Sequence, residues 1–212
     1  SLMNLLIFKA MDKLTNELIT SVAKRLDLEP ALLKTVTVVE CGNRDGFLPS
    51  GRPQILFEGH VMWKYLKIKL DGEGKRTYLY DLAKRNPSLV YQKWTKEFYL
   101  GGEGEWKRLE AARKIDENCA NLATSWGLGQ IMGFNYQLCG CQSVDEMIQK
   151  MSESHEMQLE MMYHFLYNSG LVKHLKAKDW DAFAKGYNGP GYKDNNYDQK
   201  LRNTYENFKD KL

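Results

Sequence analysis

Apolar residues at helical spacing are the feature that most limits how this chain can fold. Leu14, Leu18 and Val22 recur four residues apart and Leu26 continues the series, which places these side chains on one face of a helix. Thr15 stands near the start of the series, where it can cap the first turn. Because the same spacing dominates the rest of the 212 residues, we expect a mainly helical fold.

A second helix is predicted at residues 31–39, where apolar residues fall on nearly every side. Pro30 suits the first position of a helix, and Gly42 can supply the turn that ends one. Glu40 therefore lies at the C-terminal end of a buried helix. Apolar neighbours and the negative helix end both raise the pKa of a carboxyl, as a general acid working near neutral pH requires. The alternative is an ordinary surface glutamate at a frayed helix end.

The remaining sequence is consistent with one domain covering residues 1–212. Residues 42–53 are rich in turn-forming residues, residues 54–57 predict a short strand, and residues 71–104 resemble an irregular polar insertion. Further helices are predicted at residues 61–70, 106–118, 143–168, 180–185 and 196–209. The predicted fold class is therefore mainly α, in the broad sense α+β, with a small β element near residues 46–58.

Charge and hydropathy argue against two kinds of partner. Thirty basic residues against 27 acidic ones give a net charge of +3, and the charges are too dispersed to predict a nucleic-acid partner. No apolar run approaches the roughly 18 residues that a membrane-spanning helix needs, so we expect no membrane insertion. The apolar run at residues 5–8 is too short for a secretory signal, and no small-residue cleavage site follows it.

Two groups of residues raise the question of metal binding. The four cysteines are Cys41, Cys119, Cys139 and Cys141. They lack the paired spacing of a zinc site and are best interpreted as free thiols, although the sequence leaves disulfides open. Glu156, Glu160 and His164 fall on one helix face, but a single helix offers too few ligands, so a solvated surface is favoured. We expect neither a metal nor an organic cofactor.

Several aromatic side chains are concentrated in the polar insertion. They are Tyr78, Tyr80, Tyr91, Trp94, Phe98 and Tyr99. These side chains either line a groove that binds a polymer or form a small core of the insertion itself.

Three short stretches carry the most specific chemistry: VVECG at 38–42, SWGLGQI at 125–131 and GYNGP at 186–190. Their order, a glutamate followed by Gly-Leu-x-Gln-Ile and then Tyr-Asn-Gly, is similar to that in lytic transglycosylases and goose-type lysozymes. The neighbouring runs are GFLP at 46–49, GRPQILFE at 51–58, ATSWGLGQIMGFN at 123–135 and GYNGPGY at 186–192. With these runs included, nearly the whole chain resembles the N-acetylmuramidase family of phage endolysins and bacterial cell-wall hydrolases.

The resemblance implies a lysozyme-like helical domain that cleaves the β-1,4 bond between N-acetylmuramic acid and N-acetylglucosamine in peptidoglycan. Glu40 matches the catalytic glutamate of the family. Glu58 matches a second acidic position, from which it would stabilise the oxocarbenium ion or activate water, and Asp45 is a less favoured candidate. A charge at the N-terminus of the following helix explains Glu58 equally well.

Four other residues are candidates for binding the substrate. Gln130 and Asn188 carry amides that can hydrogen-bond acetamido and hydroxyl groups of a sugar. Tyr187 can either hydrogen-bond Glu40 or position a sugar. Trp126 can offer a flat face to a sugar ring, but a role in the core is favoured for so large an aromatic side chain.

Two alternative functions remain at this point. A lytic transglycosylase, which forms 1,6-anhydro-muramic ends, is disfavoured because Cys41 stands where those enzymes usually carry serine and because Glu40 lies further from Gly127 than in them. A catalytically inactive peptidoglycan-binding module is the second alternative. We expect a monomer that binds peptidoglycan glycan strands. We also expect that it is made in the cytoplasm and acts on the wall after release or export.

Overall fold

The computed structural model describes residues 1–4, 7, 12–42 and 44–212, so the apolar run at residues 5–8 lies largely outside it. The apolar stripe near the start forms helix α1 (Asn16–Arg25), as its spacing predicts. The Thr15 hydroxyl accepts a hydrogen bond from the Leu18 amide at 3.1 Å, which satisfies one of the free N–H groups of the first turn. Val22 is fully buried on the inner face of this helix.

Helix α2 (Pro30–Cys41) packs against α1 and against the C-terminal helix, α11 (Tyr197–Phe208). Leu33 and Val36 are fully buried there, and burying a side chain of this size contributes about 1.5–3 kcal/mol. Gly42 follows the helix with a φ of 60°, a value that favours glycine. The predicted helix and its glycine end are thus confirmed, and Glu40 lies in the last turn.

The other helices follow in chain order. They are α3 (Gly59–Gly72), α4 (Arg76–Arg85), α5 (Glu103–Ile115), α6 (Glu117–Leu122), α7 (Val144–Met151), α8 (His155–Asn168), α9 (Val172–Lys176) and α10 (Trp180–Asn188). Short 3-10 turns lie at Gly133–Asn135 and Pro190–Asn195.

Capping side chains divide two of the predicted helices. The helix expected at residues 106–118 breaks at Asp116, whose carboxylate accepts the Cys119 N–H at 2.8 Å and begins α6. The helix expected at residues 143–168 is interrupted before α8, where the Ser154 hydroxyl accepts the Met157 N–H at 3.1 Å. The segment 71–104 is less irregular than predicted, because it contains α4, which is anchored by the buried Leu79.

A three-stranded antiparallel sheet accompanies the helices. Strand β1 (Ile55–Phe57) pairs with β2 (Thr124–Trp126), which pairs in turn with β3 (Ile131–Met132). The predicted β element near residues 46–58 is confirmed by β1 and by a bridge between Phe47 and Pro53. Strands β2 and β3 were not predicted, because strands of two or three residues are too short to show the alternation of apolar and polar residues.

The four cysteines are free and buried, as the sequence favoured. Burial raises the pKa of Cys41 and Cys139 to about 12, so their thiols stay protonated at neutral pH. In the described part of the chain, no helix is long and apolar enough to cross a membrane.

The cluster considered for a divalent metal is an ion-paired surface. The Arg25 guanidinium lies 3.2 Å from Glu156 and 3.4 Å from Glu160, and His164 lies 3.6 Å from Glu160. Among the described residues, no group of three or more His, Cys, Asp or Glu side chains is placed to hold a metal ion. A guanidinium therefore stands where the cation would have been bound.

Candidate active site

Glu40 is a partly buried carboxyl in the last turn of α2. Burial disfavours its charged form and raises its pKa from 4.5 to about 7, while the Asn188 side chain and the Lys200 ammonium act in the opposite direction. A raised pKa was predicted from the apolar neighbours of Glu40, and the structure confirms both the direction and burial as its main cause. Near neutral pH, this carboxyl holds a proton that it can donate.

Asn188 brings a second polar group to Glu40 from the end of α10. Its amide lies close enough to lower the pKa of Glu40 without meeting the geometry of a hydrogen bond. Within the described part of the chain, neither Glu40 Oε1 nor Asn188 Nδ2 has a hydrogen-bond partner, although both atoms are buried. A buried acceptor and a buried donor left unsatisfied side by side are costly, and such pairs are typical of sites that bind a ligand.

Tyr187 precedes Asn188 and packs into the same corner. Its ring stacks on Phe183 with the centroids 5.8 Å apart and meets Phe165 edge-on at 6.4 Å. Burial raises the pKa of Tyr187, and the neighbouring Glu40 charge raises it further. Of the two roles predicted for Tyr187, a hydrogen bond to Glu40 is not found among the described residues, and the positioning of a sugar stays a prediction.

Lys200 of α11 carries a positive charge that acts on Glu40. Its exposed ammonium favours the charged form of Glu40 and so lowers the pKa that burial raises. The packing of α11 against α2 brings this charge to the site. Sequence analysis missed Lys200 because nothing in its local sequence indicates a contact with the end of α2.

Glu58 is held by a tyrosine of the polar insertion. It follows β1 at the N-cap of α3, but its side chain makes no capping hydrogen bond. The Tyr99 hydroxyl instead donates to the carboxylate, at 2.6 Å from Oε1 and 2.7 Å from Oε2, and His60 Nδ1 lies 3.3 Å from Oε2. Burial raises the pKa of Tyr99, as does its hydrogen bond to Glu58. The interaction of Tyr99 with Glu58 was not predicted.

Asp45, the less favoured candidate for the second acid, contacts a buried histidine. Its Oδ1 contacts His155 Nε2 and also accepts the Phe47 N–H at 3.3 Å. His155 is only 1% exposed, and its Nε2 lies 3.2 Å from the Gly46 N–H. Asp45 therefore anchors the loop after α2 to α8, which leaves Glu58 as the better candidate for a second acidic group.

Gln130 uses its amide within the protein. Its Nε2 donates to Gln54 O at 3.1 Å and Gly127 O at 2.9 Å, and its Oε1 accepts the Ser125 hydroxyl at 2.8 Å. These bonds tie the turn between β2 and β3 to the chain before β1. Because both amide hydrogens are engaged, Gln130 is not free to bind a sugar through them, contrary to the prediction.

Trp126 belongs to the core. It is fully buried in β2, its indole N–H donates to Asn121 O at 3.2 Å, and its ring meets Trp106 edge-on at 5.8 Å. A ring without an exposed face cannot stack on a sugar, so the prediction of a binding role is wrong. The packing role that its size favoured is the one observed.

The structure thus groups the predicted residues into two clusters that share no member. Glu40, Tyr187 and Asn188 form the first, with Lys200 beside them, and Glu58 forms the second with Tyr99 and His60. Gln130 and Trp126 belong to neither cluster and instead stabilise the three-stranded sheet. A proton donor and a second carboxylate are the two acidic groups that glycosidic bond cleavage requires.

Comparisons with known proteins find one family and a similar solved structure. A family model described as N-acetylmuramidase matches residues 29–209, a span that contains both clusters. The chain is also similar to the crystal structure of a Burkholderia AP3 phage endolysin, with a TM-score of 0.78 and 35% sequence identity. That match covers 93% of this chain and 71% of the endolysin chain. A search of curated proteins finds no match.

Proposed function

This chain belongs to the N-acetylmuramidase family, and on that premise we propose that it hydrolyses the β-1,4 bond between N-acetylmuramic acid and N-acetylglucosamine. The family match and the likeness to a phage endolysin make it a glycoside hydrolase of the lysozyme kind with a peptidoglycan-hydrolysing role. The choice of bond and the mechanism are our proposal. The observation that carries it is the Glu40 carboxyl, whose pKa of about 7 lets it donate a proton near neutral pH.

In the proposed mechanism, Glu40 is the general acid. Its carboxyl proton passes to the glycosidic oxygen while the bond from that oxygen to C1 of the muramic acid breaks. Positive charge then develops on the ring, and the oxygen of a water molecule bonds to C1 while one of its protons passes to a carboxylate, either Glu58 or the Glu40 that has given up its own proton. The amide of Asn188, whose Nδ2 donor has no partner among the described residues, would bind the sugar beside Glu40.

Glu58 is the proposed second acid. A carboxylate stabilises the oxocarbenium ion only in its charged form, and the same form is needed to attack C1 or to remove a proton from water. The Tyr99 hydroxyl donates to the Glu58 carboxylate at 2.6 Å and so orients it. Burial favours the protonated form of Glu40, as a general acid requires, whereas Glu58 accepts a hydrogen bond from Tyr99.

The product identifies the reaction. Purified peptidoglycan is digested with the protein, and the released fragments are analysed by mass spectrometry. We expect fragments that end in reducing N-acetylmuramic acid. Fragments with 1,6-anhydro ends would instead identify a lytic transglycosylase, and binding to sacculi without any release would identify an inactive binding module.

Two matched variants connect the product to Glu40. We expect Glu40→Gln to release no fragments while keeping the circular dichroism spectrum of the wild type. Glu206→Gln makes the same chemical change at an exposed carboxylate near the end of α11 and should leave the release unchanged. Wild-type release by a folded Glu40→Gln variant would contradict the assignment.

A further inference from the structure

A buried ion pair on α5 lies behind the Glu58–Tyr99 hydrogen bond. Glu105 is 0% exposed and Arg108 is 5% exposed, and their side chains meet at 2.8 Å. The two charges do more than pair with each other, because both side chains also bind backbone groups of two other segments. An apolar replacement would leave those backbone groups unpaired.

The first side of this pair holds the strand that precedes Glu58. Glu105 Oε1 accepts the Phe57 N–H at 3.0 Å, and an Arg108 guanidinium N–H donates to the Phe57 carbonyl at 2.8 Å. Both backbone groups of the last residue of β1 are thus bound by charged side chains. Hydrogen bonds to charged groups are shorter and stronger than neutral ones, so the position of the Glu58 backbone is fixed.

The same ion pair also binds the segment that carries Tyr99. Glu105 Oε2 accepts the Leu100 N–H at 2.7 Å and the Gly101 N–H at 3.1 Å. The guanidinium of Arg108 also lies over the Tyr99 ring, 5.7 Å from its centroid. One carboxylate therefore binds the residue before Glu58 and the two residues after Tyr99, and it sets the distance between the two side chains.

We propose that Tyr99 is a positioning residue for Glu58, and that the Glu105–Arg108 pair holds the two in register. Tyr99 orients the carboxylate through its hydrogen bonds of 2.6 Å and 2.7 Å. This inference rests on the proposed role of Glu58 as the second acid. It adds a residue from the polar insertion, and two more from α5, to the groups that determine the rate.

Tyr99→Phe tests the proposal because it removes only the hydroxyl. We expect kcat on peptidoglycan to fall roughly 10- to 100-fold with KM nearly unchanged, since a hydrogen bond to a charged group is lost. A purely structural role for Tyr99 would lower thermal stability without this selective loss of kcat. In the described part of the chain, the other titratable or charged groups facing this pair are His60, Arg108 and Tyr91, and all remain in the variant.

Tyr91→Phe is the matched control. Tyr91 lies in the same segment and packs on Phe98 with the ring centroids 5.4 Å apart. Its buried hydroxyl has no hydrogen-bond partner among the described residues, so losing it should leave kcat and KM unchanged. If Tyr99→Phe lowers the melting temperature but keeps the wild-type kcat, Tyr99 is structural only and the proposal is overturned.

Glu58→Gln separates this proposal from the one on which it rests. An inactive Glu58→Gln with a wild-type Tyr99→Phe would support Glu58 and overturn the role of Tyr99. Full activity in Glu58→Gln would remove the second acid itself, and the proposal for Tyr99 with it. Glu105→Gln keeps the side-chain volume but loses one of the two acceptor oxygens, and when folded it should lower kcat with KM nearly unchanged, as Tyr99→Phe does. A wild-type kcat in folded Glu105→Gln would overturn the part assigned to the ion pair.

Discussion

Glu40 Oε1 and Asn188 Nδ2 are brought together by the ends of α2 and α10, and among the described residues neither atom has a hydrogen-bond partner. The acceptor and the donor come from opposite ends of the sequence and are buried side by side. Evolution of a protein for stability alone would pair or remove such atoms. We therefore expect a bound substrate to supply the missing partners.

The burial of Glu40 should reduce the stability of the folded protein at neutral and alkaline pH. Its folded-state pKa of about 7 lies above the ordinary value of 4.5, so between these values the folded state binds more protons than the unfolded state. Stability therefore falls as pH rises through this window. We expect Glu40→Gln to be about 2–3 kcal/mol more stable than the wild type at pH 8, with the difference lost below about pH 4.5.

Urea unfolding at several pH values measures this difference. Glu206→Gln, which changes an exposed carboxylate, should show no such pH dependence. Equal stability of Glu40→Gln and the wild type across the whole range would mean that Glu40 is not held in an unfavourable environment.

Lys200 should set the alkaline limit of activity. Its ammonium lowers the pKa of Glu40, so removing the charge in Lys200→Gln raises that pKa and keeps the acid protonated at higher pH. The alkaline limb of the kcat/KM profile should therefore move upward in pH. Lys209→Gln, just beyond the end of α11, is the control and should leave the limb in place. A downward shift in Lys200→Gln would contradict the charge interaction.

The buried ion pair on α5 should matter far more to stability than the surface ion pair on the same helix. Glu105→Ala leaves the Arg108 charge buried and unpaired, and we expect a loss of about 3–5 kcal/mol in the free energy of unfolding. Glu103 pairs with Arg52 at the surface, where Glu103→Ala should cost less than about 1 kcal/mol. Denaturant unfolding of the two variants makes the comparison, and similar losses would show that the buried pair is not a structural anchor.

Gln130 should prove to be a scaffold residue. Gln130→Ala removes the three hydrogen bonds that join the β2–β3 turn to Gln54, Gly127 and Ser125, at a cost of about 1–3 kcal/mol. We expect a lower melting temperature and a KM close to that of the wild type. A raised KM with unchanged thermal stability would return Gln130 to substrate binding.

Sequence patterns were sufficient for the helical class and for the burial of Glu40 at the end of α2. Apolar spacing located α1 and α2, and the glycine end of α2 placed Glu40 in a low-dielectric setting. Sequence patterns did not show which residues of a motif have a structural role. Trp126 and Gln130 occur in the same stretch that carries the resemblance, yet their side chains are directed inward.

The contacts that sequence analysis missed join segments far apart in the chain. Lys200 reaches Glu40 only because α11 packs on α2, and Tyr99 reaches Glu58 only because Glu105 holds both backbones. Short-range periodicity contains no information on such pairs. Glu105 also precedes the helix predicted at residues 106–118, so its pairing with Arg108 was not expected.

The central claim is that Glu40 carries a proton at neutral pH, and a 13C NMR titration of the side-chain carboxyls measures it directly. The spectrum of Glu40→Gln identifies the Glu40 resonance by its absence. We predict that this resonance titrates with a midpoint near pH 7 in the free protein. A midpoint near 4.5, the ordinary value for glutamate, would show that Glu40 is already ionised at neutral pH and would contradict its role as the general acid.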